Sequence, residues 1–264
     1  MKLWEALDLH PGEAIAFVGA GGKTTAIWRV QAELAAAGLR SVVTTTTKMM
    51  EPVLPPDGAL MLTARPDAGR VTKLLDCAPR LVLASGRWGE FQPLHSDHPV
   101  PSRPYKLDGL PPETLGELSR QLPGVTWLIE ADGAKGAGLK LPAAHEPVIP
   151  DHVTTVVVMA HLDVLGQPLN AKTVHRVADA IHILDVPVGT PLTPEMFARV
   201  LTDEKLGLKG VPAQARAVVM LTQRGATLHP EAPGLAKPLL RARYERVVIA
   251  ALRADEPVLQ VMTR

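Results

Sequence analysis

The sequence predicts an α/β fold, a mostly parallel β-sheet with helices on both faces. Two observations carry this reading. Apolar, often β-branched runs recur at residues 14–18, 40–45, 125–130, 153–159, 217–221 and 246–250. They read as near-continuous apolar segments, as strands buried on both faces do. Between several of them lie longer stretches of helical period and composition, and alternation of the two kinds implies parallel pairing through helical crossovers.

The elements follow in order. Residues 3–9 are amphipathic and open the chain as a short helix. Residues 14–18 form a strand that runs into glycine. Residues 24–37, rich in Ala, Gln, Glu and Leu, form a helix that Gly38 stops. Residues 40–45 form the next strand, so the first 46 residues spell one βαβ unit with a right-handed crossover. Short strands at 59–62 and 81–84 flank a helix at 67–76. A helix at 111–121 leads to the strand 125–130, and the strand 153–159 precedes helices at 171–183 and 194–201. Thr193 suits the N-cap of the last. Strands at 217–221, 246–250 and 257–263 close the sheet. The segment 86–112, rich in Pro, Gly, His and Asp, is either a functional loop or a small excursion from a single domain spanning 1–264.

Bulk properties narrow the functional classes. The 264 residues are 46% apolar and 21% charged, ordinary for a globular protein that buries its own core. A net charge of +1 offers no general attraction to nucleic acid or to an anionic membrane. No apolar run approaches the roughly 20 residues that span a bilayer, and an acid at Glu5 interrupts the first residues where a signal peptide would be apolar. The lone cysteine, Cys77, excludes an internal disulfide and is expected to be an inert core thiol; a reducing cytoplasm is the expected compartment. The 25 prolines fall mostly between apolar segments and act as loop stiffeners.

The first strand meets the first long helix at Gly19-Ala20-Gly21-Gly22-Lys23-Thr24-Thr25. The standard phosphate loop is G-x-x-x-x-G-K-[ST]. Here Phe17 stands where its first glycine would be, so the loop is the shorter G-x-x-G-K-T-T. Its physics is unchanged. Three glycines let backbone N–H groups turn toward an anion, and the helix presents its positive end to it. Lys23 brings a full charge to the β and γ phosphates of a nucleoside triphosphate, Thr24 offers a hydroxyl to Mg2+, and Thr25 offers one to a phosphate. A dinucleotide fingerprint would need glycine at Thr24. The fold is therefore expected to be P-loop NTPase-like.

Two further blocks lie at predicted strand ends, which in open α/β sheets face the binding crevice. Thr46, Thr47 and Lys48 follow the second strand and can meet a γ-phosphate, a magnesium-bound water or an acidic substrate. Trp127-Leu128-Ile129-Glu130-Ala131-Asp132 is an apolar strand ending in two acids, the form of a Walker B element. Glu130 is the expected magnesium ligand, with Asp132 orienting an attacking group. The glycine- and lysine-rich loop beyond them places Lys135 and Lys140 to clamp phosphates or an anionic second substrate, and His145 and Glu146 as acid–base groups. His161 and Asp163 are read as loop residues at a strand end. His95, Asp97 and His98 resemble a metal corner without a fourth ligand.

Taken together, GAGGKTT, TTTTKM, EADGAKG, LKLPAAHEPVIP and Val174-His175-Arg176 resemble the YqeC family of selenium-dependent hydroxylase accessory proteins, over residues 14 to 222. The glycine loop alone is also similar to that of the Mur ligases. The family resemblance implies a P-loop nucleoside triphosphatase that helps mature selenium-dependent molybdenum hydroxylases, with such an enzyme or its cofactor as partner. It implies that Gly19 to Thr25 hold the triphosphate, that Glu130 and Asp132 attend magnesium, and that Lys135, Lys140, Glu146, His175 and Arg176 line the site. Relatives carry an Asn-Lys-x-Asp-like segment where this chain has Thr222-Gln223-Arg224-Gly225. The aspartate that would grip guanine is missing, so ATP is favoured over GTP. Three functions follow as expectations: an NTP-hydrolysing accessory factor, an ATP-dependent ligase or kinase acting on a small anionic substrate, and a non-catalytic nucleotide-dependent scaffold.

Overall fold

The structure is a computed structural model and describes residues 1–88 and 106–264. The segment with His95, Asp97 and His98, which resembles a metal corner without a fourth ligand, lies outside the described residues. The described elements run α1 (Leu3–Ala6), β1 (Ala14–Gly19), α2 (Lys23–Ala36), β2 (Ser41–Thr45), β3 (Lys48–Met50), β4 (Gly58–Leu62), α3 (Ala68–Cys77), β5 (Arg80–Ala84) and β6 (Gly86–Trp88). They continue with β7 (Lys106–Asp108), α4 (Pro112–Gln121), β8 (Thr126–Glu130), β9 (Leu139–Lys140), β10 (Thr155–His161), β11 (Val174–His175) and α5 (Val177–Leu184). The chain closes with α6 (Pro194–Thr202), β12 (Arg216–Thr222), α7 (Ala232–Arg241), β13 (Arg246–Ala250) and β14 (Val258–Thr263).

Nine strands form one sheet in the order β14-β13-β12-β10-β1-β8-β2-β5-β4. All pairs are parallel except β13 with β14. The α/β class predicted from strand–helix alternation is what the chain adopts, and the architecture is P-loop NTPase-like. Side-chain alternation splits the core into two layers. Ile15, Phe17, Leu128, Val157 and Met220 pack against α1 and α2 through Leu3, Ile27, Val30 and Leu34. Ala16, Val18, Ile129, Val158 and Val219 face the opposite layer, where α3, α4, α6 and α7 supply Leu75, Leu115, Phe197 and Leu239. β1 lies near the centre and is followed by β2 on one side, whereas β10 and β12 extend the sheet on the other. Strand order reverses there, and this places a crevice above the carboxyl ends of β1, β8 and β10.

Local chemistry explains three helix ends. Asp67 caps α3 by accepting from the Arg70 amide at 3.0 Å, and Thr193 caps α6 by accepting from the Met196 amide at 3.3 Å. Gly38 takes the left-handed φ of +75° just beyond α2.

Several elements depart from the sequence reading. The opening helix stops at Ala6. The helix expected over 171–183 begins only at Val177, because Val174 and His175 are captured by β9 in a two-stranded ladder and Arg176 turns left-handed. Helix α7 has no counterpart in that reading; it holds Pro238 in its interior, and Leu235 and Leu239 bury against the sheet, so packing overrides the local breaker. In the segment 86–112, read as either a functional loop or a small excursion from the sheet, β6 and β7 pair with β3 in a small antiparallel sheet. Cys77 ends α3 but is exposed rather than in the core.

Candidate functional site

The glycine loop bridges β1 and α2, at the carboxyl end of the central strand. Gly19, Gly21 and Gly22 have φ of +89°, +85° and +100°, conformations that residues with a Cβ rarely hold. A Cβ on Gly21 would lie 2.8 Å from the His161 backbone nitrogen, so the loop lies directly against the end of β10. Ala20 is buried and donates its amide to Met159 O at 2.8 Å. Thr222, at the end of β12, donates its hydroxyl to Gly21 O at 2.6 Å. With its proton committed there, its oxygen accepts from His161 Nδ1 at 2.9 Å. Burial, and to a lesser extent the charge of Arg224, push the His161 pKa down despite the opposing pull of Asp163.

Lys23 opens α2 and is buried. Its ammonium donates to Gly19 O at 2.5 Å and sits 3.0 Å from Asp132 Oδ1. The other oxygen of Asp132 accepts from the Gly19 amide at 3.0 Å. Asp132 thus fixes both the first glycine and the loop lysine, a positioning role that two acids at a strand end did not reveal. Glu130 ends β8 and accepts from the Thr24 hydroxyl at 2.9 Å. Its burial pushes its pKa up, against the opposing pull of the Lys23 charge and the Thr24 hydrogen bond. A hydroxyl beside a single carboxylate, next to a glycine loop, is a donor set that suits Mg2+, which keeps several waters and takes one or two protein ligands. Among the described residues there is no cluster of three or more His, Cys, Asp or Glu that would hold a metal without help from a ligand.

The threonine run divides its labour. Thr45 donates to Glu130 O at 2.7 Å and Thr46 donates to Val148 O at 2.6 Å, tying the end of β2 to β8 and to the 143–150 loop. Thr47 and Lys48 line the cleft, and Lys48 Nζ stands 3.5 Å from the centre of the Trp88 ring.

Lys140 turns inward. Its side chain is 1% exposed, and its ammonium lies 2.8 Å from Asp132 Oδ2, 3.2 Å from Glu146 Oε2 and 2.6 Å from Gly133 O. Arg176 then meets Glu146 Oε2 at 2.6 Å. Lys23, Asp132, Lys140, Glu146 and Arg176 therefore form one continuous chain of alternating charge from the glycine loop to β11. Burial alone would raise the Glu146 carboxyl; the Arg176 guanidinium, the Ala143 amide and Lys140 outweigh it and hold it down to about 2. Such a carboxylate stays ionised and serves as a strut rather than as a proton donor near pH 7. His175, paired in register with Lys140, is pushed down by burial and by the charges of Arg176 and Lys140.

These groups surround a cleft of about 1550 Å3. Gly21, Gly22, Lys23, Thr24, Thr25 and Glu130 form its floor. Lys135, Glu146, His175 and Arg176 lie on one wall, with His145, and Thr47 and Lys48 on another. Lys106 beside Trp88, and Lys172 beside Thr173, also reach it and escaped sequence reading, since a lone lysine in a loop carries no pattern. In Thr222-Gln223-Arg224-Gly225, Gln223 is buried and spends its amide on Gly225 O, Thr227 O and the His229 amide. It staples the loop and leaves Arg224 to face the cleft.

This is an α/β protein with a glycine loop of phosphate-binding form at its switch point. The family model described as YqeC protein matches residues 15–178, and the chain belongs to the YqeC family. It is 28% identical over 210 residues to the Escherichia coli (strain K12) protein named "Uncharacterized protein YqeC", an alignment covering 77% of this chain and 73% of that protein. No solved structure matches the chain significantly. Among the described residues no helix is long and apolar enough to cross a membrane.

Proposed function

We propose that the protein is a magnesium-dependent nucleoside-triphosphate-binding protein that hydrolyses its nucleotide as an accessory factor. The observation that carries this reading is the floor of the cleft. There the Lys23 ammonium sits 3.0 Å from Asp132 and the Thr24 hydroxyl 2.9 Å from Glu130, both at the head of α2. In this reading the loop amides and Lys23 receive the β and γ phosphates. Thr24 and Glu130 would hold Mg2+, which would supply charge neutralisation to the phosphates. Glu130 also holds a water in place. Gln223 is consumed within its own loop, and no acid stands at that segment to grip guanine; this supports ATP over GTP.

Family membership extends the proposal to maturation of selenium-dependent molybdenum hydroxylases, with the hydroxylase or its cofactor as partner. A second reading, an ATP-dependent ligase or kinase for a small anionic substrate, is favoured by the cationic walls of the cleft. Phosphate release from ATP and GTP, measured with and without candidate hydroxylase partners, separates these. Partner-stimulated release without a new small-molecule product supports the accessory factor. A phosphorylated or ligated product supports the second reading, and binding without turnover supports a nucleotide-dependent scaffold.

A further inference from the structure

The cleft is larger than one ligand requires. Single-ligand pockets run to roughly 300–1,000 Å3, and this one holds about 1550 Å3. The glycine loop occupies its floor. The wall built by the 133–138 loop and by residues 172–176 carries a separate set of charges. Lys135, Lys172 and Arg176 face the cleft there; the cleft also holds the carboxylates Glu146, which Arg176 and Lys140 already engage, and Asp163, which lies 3.4 Å from His161 and 3.9 Å from Arg224. Lys135 and Lys172 are exposed, and among the described residues neither pairs with an acid.

The backbone of this wall is strained where its charges stand. Of the four non-glycine residues with positive φ among the described residues, two are Lys135 at +47° and Arg176 at +65°. Residues other than glycine hold that region only when the surrounding structure imposes it, and such strain clusters at ligand clamps. The imposing structure is the β9–β11 ladder, where His175 pairs with Lys140 and the Gly138 and Leu139 amides both donate to Thr173 O at 3.1 Å. Arg176 Nε is buried and has no hydrogen-bond partner among the described residues. The lowered pKa of His175, caused by burial and then by Arg176 and Lys140, fits a positive field at this position.

We infer that Lys135, Lys172, His175 and Arg176 form a second anion-binding subsite, distinct from the glycine loop, that receives the phosphate or carboxylate group of a second substrate. The inference rests on the reading of Gly19 to Thr25 as the nucleotide cradle. It deepens that reading by naming the chemistry of the second ligand. Lys140 is not a contact in this subsite but a strut that joins it to Asp132 and hence to Lys23. An anion on Arg176 therefore acts on the same ion-pair chain that positions the loop lysine.

The test is calorimetric titration of the chain saturated with AMP-PNP and Mg2+, using pyrophosphate as the phosphate probe and tricarballylate as the carboxylate probe. The nucleotide-loaded protein should bind one further equivalent of at least one probe. Lys172→Glu should weaken that binding by about tenfold or more, a loss exceeding any change in nucleotide affinity by roughly fivefold, and Lys172→Arg should retain it. Absence of both probes from the nucleotide-loaded protein, or equal binding by Lys172→Glu, overturns the subsite. If AMP-PNP itself does not bind, the nucleotide reading fails separately. The probes are then titrated into the free protein and into Lys23→Ala: binding that depends on Lys172 but not Lys23 upholds the subsite, and binding that depends on Lys23 alone overturns it.

Discussion

Replacing Lys140 with methionine isolates the buried charge chain from the rest of the site. Methionine keeps much of the aliphatic stem and removes only the ammonium, whose side chain is 1% exposed. Asp132 then keeps Lys23 at 3.0 Å and Glu146 keeps Arg176 at 2.6 Å, but each loses one of two cations. Deleting one partner of a buried pair costs about 3–5 kcal/mol. Because both acids retain a counter-ion, the expected loss is at the low end, about 3 kcal/mol. In a domain of this size each kcal/mol shifts Tm by roughly 2–4 °C, so the melt should fall by about 6–12 °C. Urea denaturation of Lys140→Met beside Arg40→Met reads the difference. Arg40 meets Asp76 at 2.8 Å with both side chains about half exposed, and its loss should cost less than about 1 kcal/mol. If the two variants unfold within 1 kcal/mol of each other, Lys140 is not a buried strut and the continuous chain from Lys23 to Arg176 does not exist in solution.

Other outcomes follow from the same geometry. Gly21→Ala must adopt φ near +85° with a Cβ 2.8 Å from the His161 nitrogen. It should destabilise by roughly 1–2 kcal/mol or more, seen as a lower urea midpoint, and weaken nucleotide binding. Glu130→Gln and Thr24→Ala should each reduce the gain in nucleotide affinity that Mg2+ gives, measured as the ratio of Kd with and without the ion. Glu146 has its carboxyl held near 2 against an ordinary value near 4.5. Its stabilisation is therefore present above pH 4.5 and is lost as pH falls toward 2. Glu146→Gln should flatten that acid limb, and a limb unchanged in the variant would remove Glu146 from the network.

The parts of the site legible in sequence were those carried by one short segment. A glycine loop after an apolar strand, and two acids closing another, are local patterns, and β1, α2 and β8 place Lys23, Thr24, Glu130 and Asp132 together. The misread parts depend on contacts between distant segments. Nothing near Val174 signals that it will pair with Leu139, yet that ladder breaks the expected helix and turns Arg176 toward Glu146. Lys140 lies in a basic loop like a phosphate clamp, but its direction is set by Asp132 and Glu146, which precede and follow it. Pro238 reads as a breaker, and only the buried Leu235 and Leu239 show why α7 survives it.

The central claim is that Gly19 to Thr25 bind a nucleoside triphosphate with magnesium. Equilibrium titration of wild type and Lys23→Ala with AMP-PNP in the presence of Mg2+ tests it most directly. The structure predicts one site per chain, and an affinity about tenfold or more weaker in Lys23→Ala, since a charged donor to the phosphates is lost. Wild-type protein that binds no nucleotide, or a Lys23→Ala variant that binds as tightly as wild type, would contradict it.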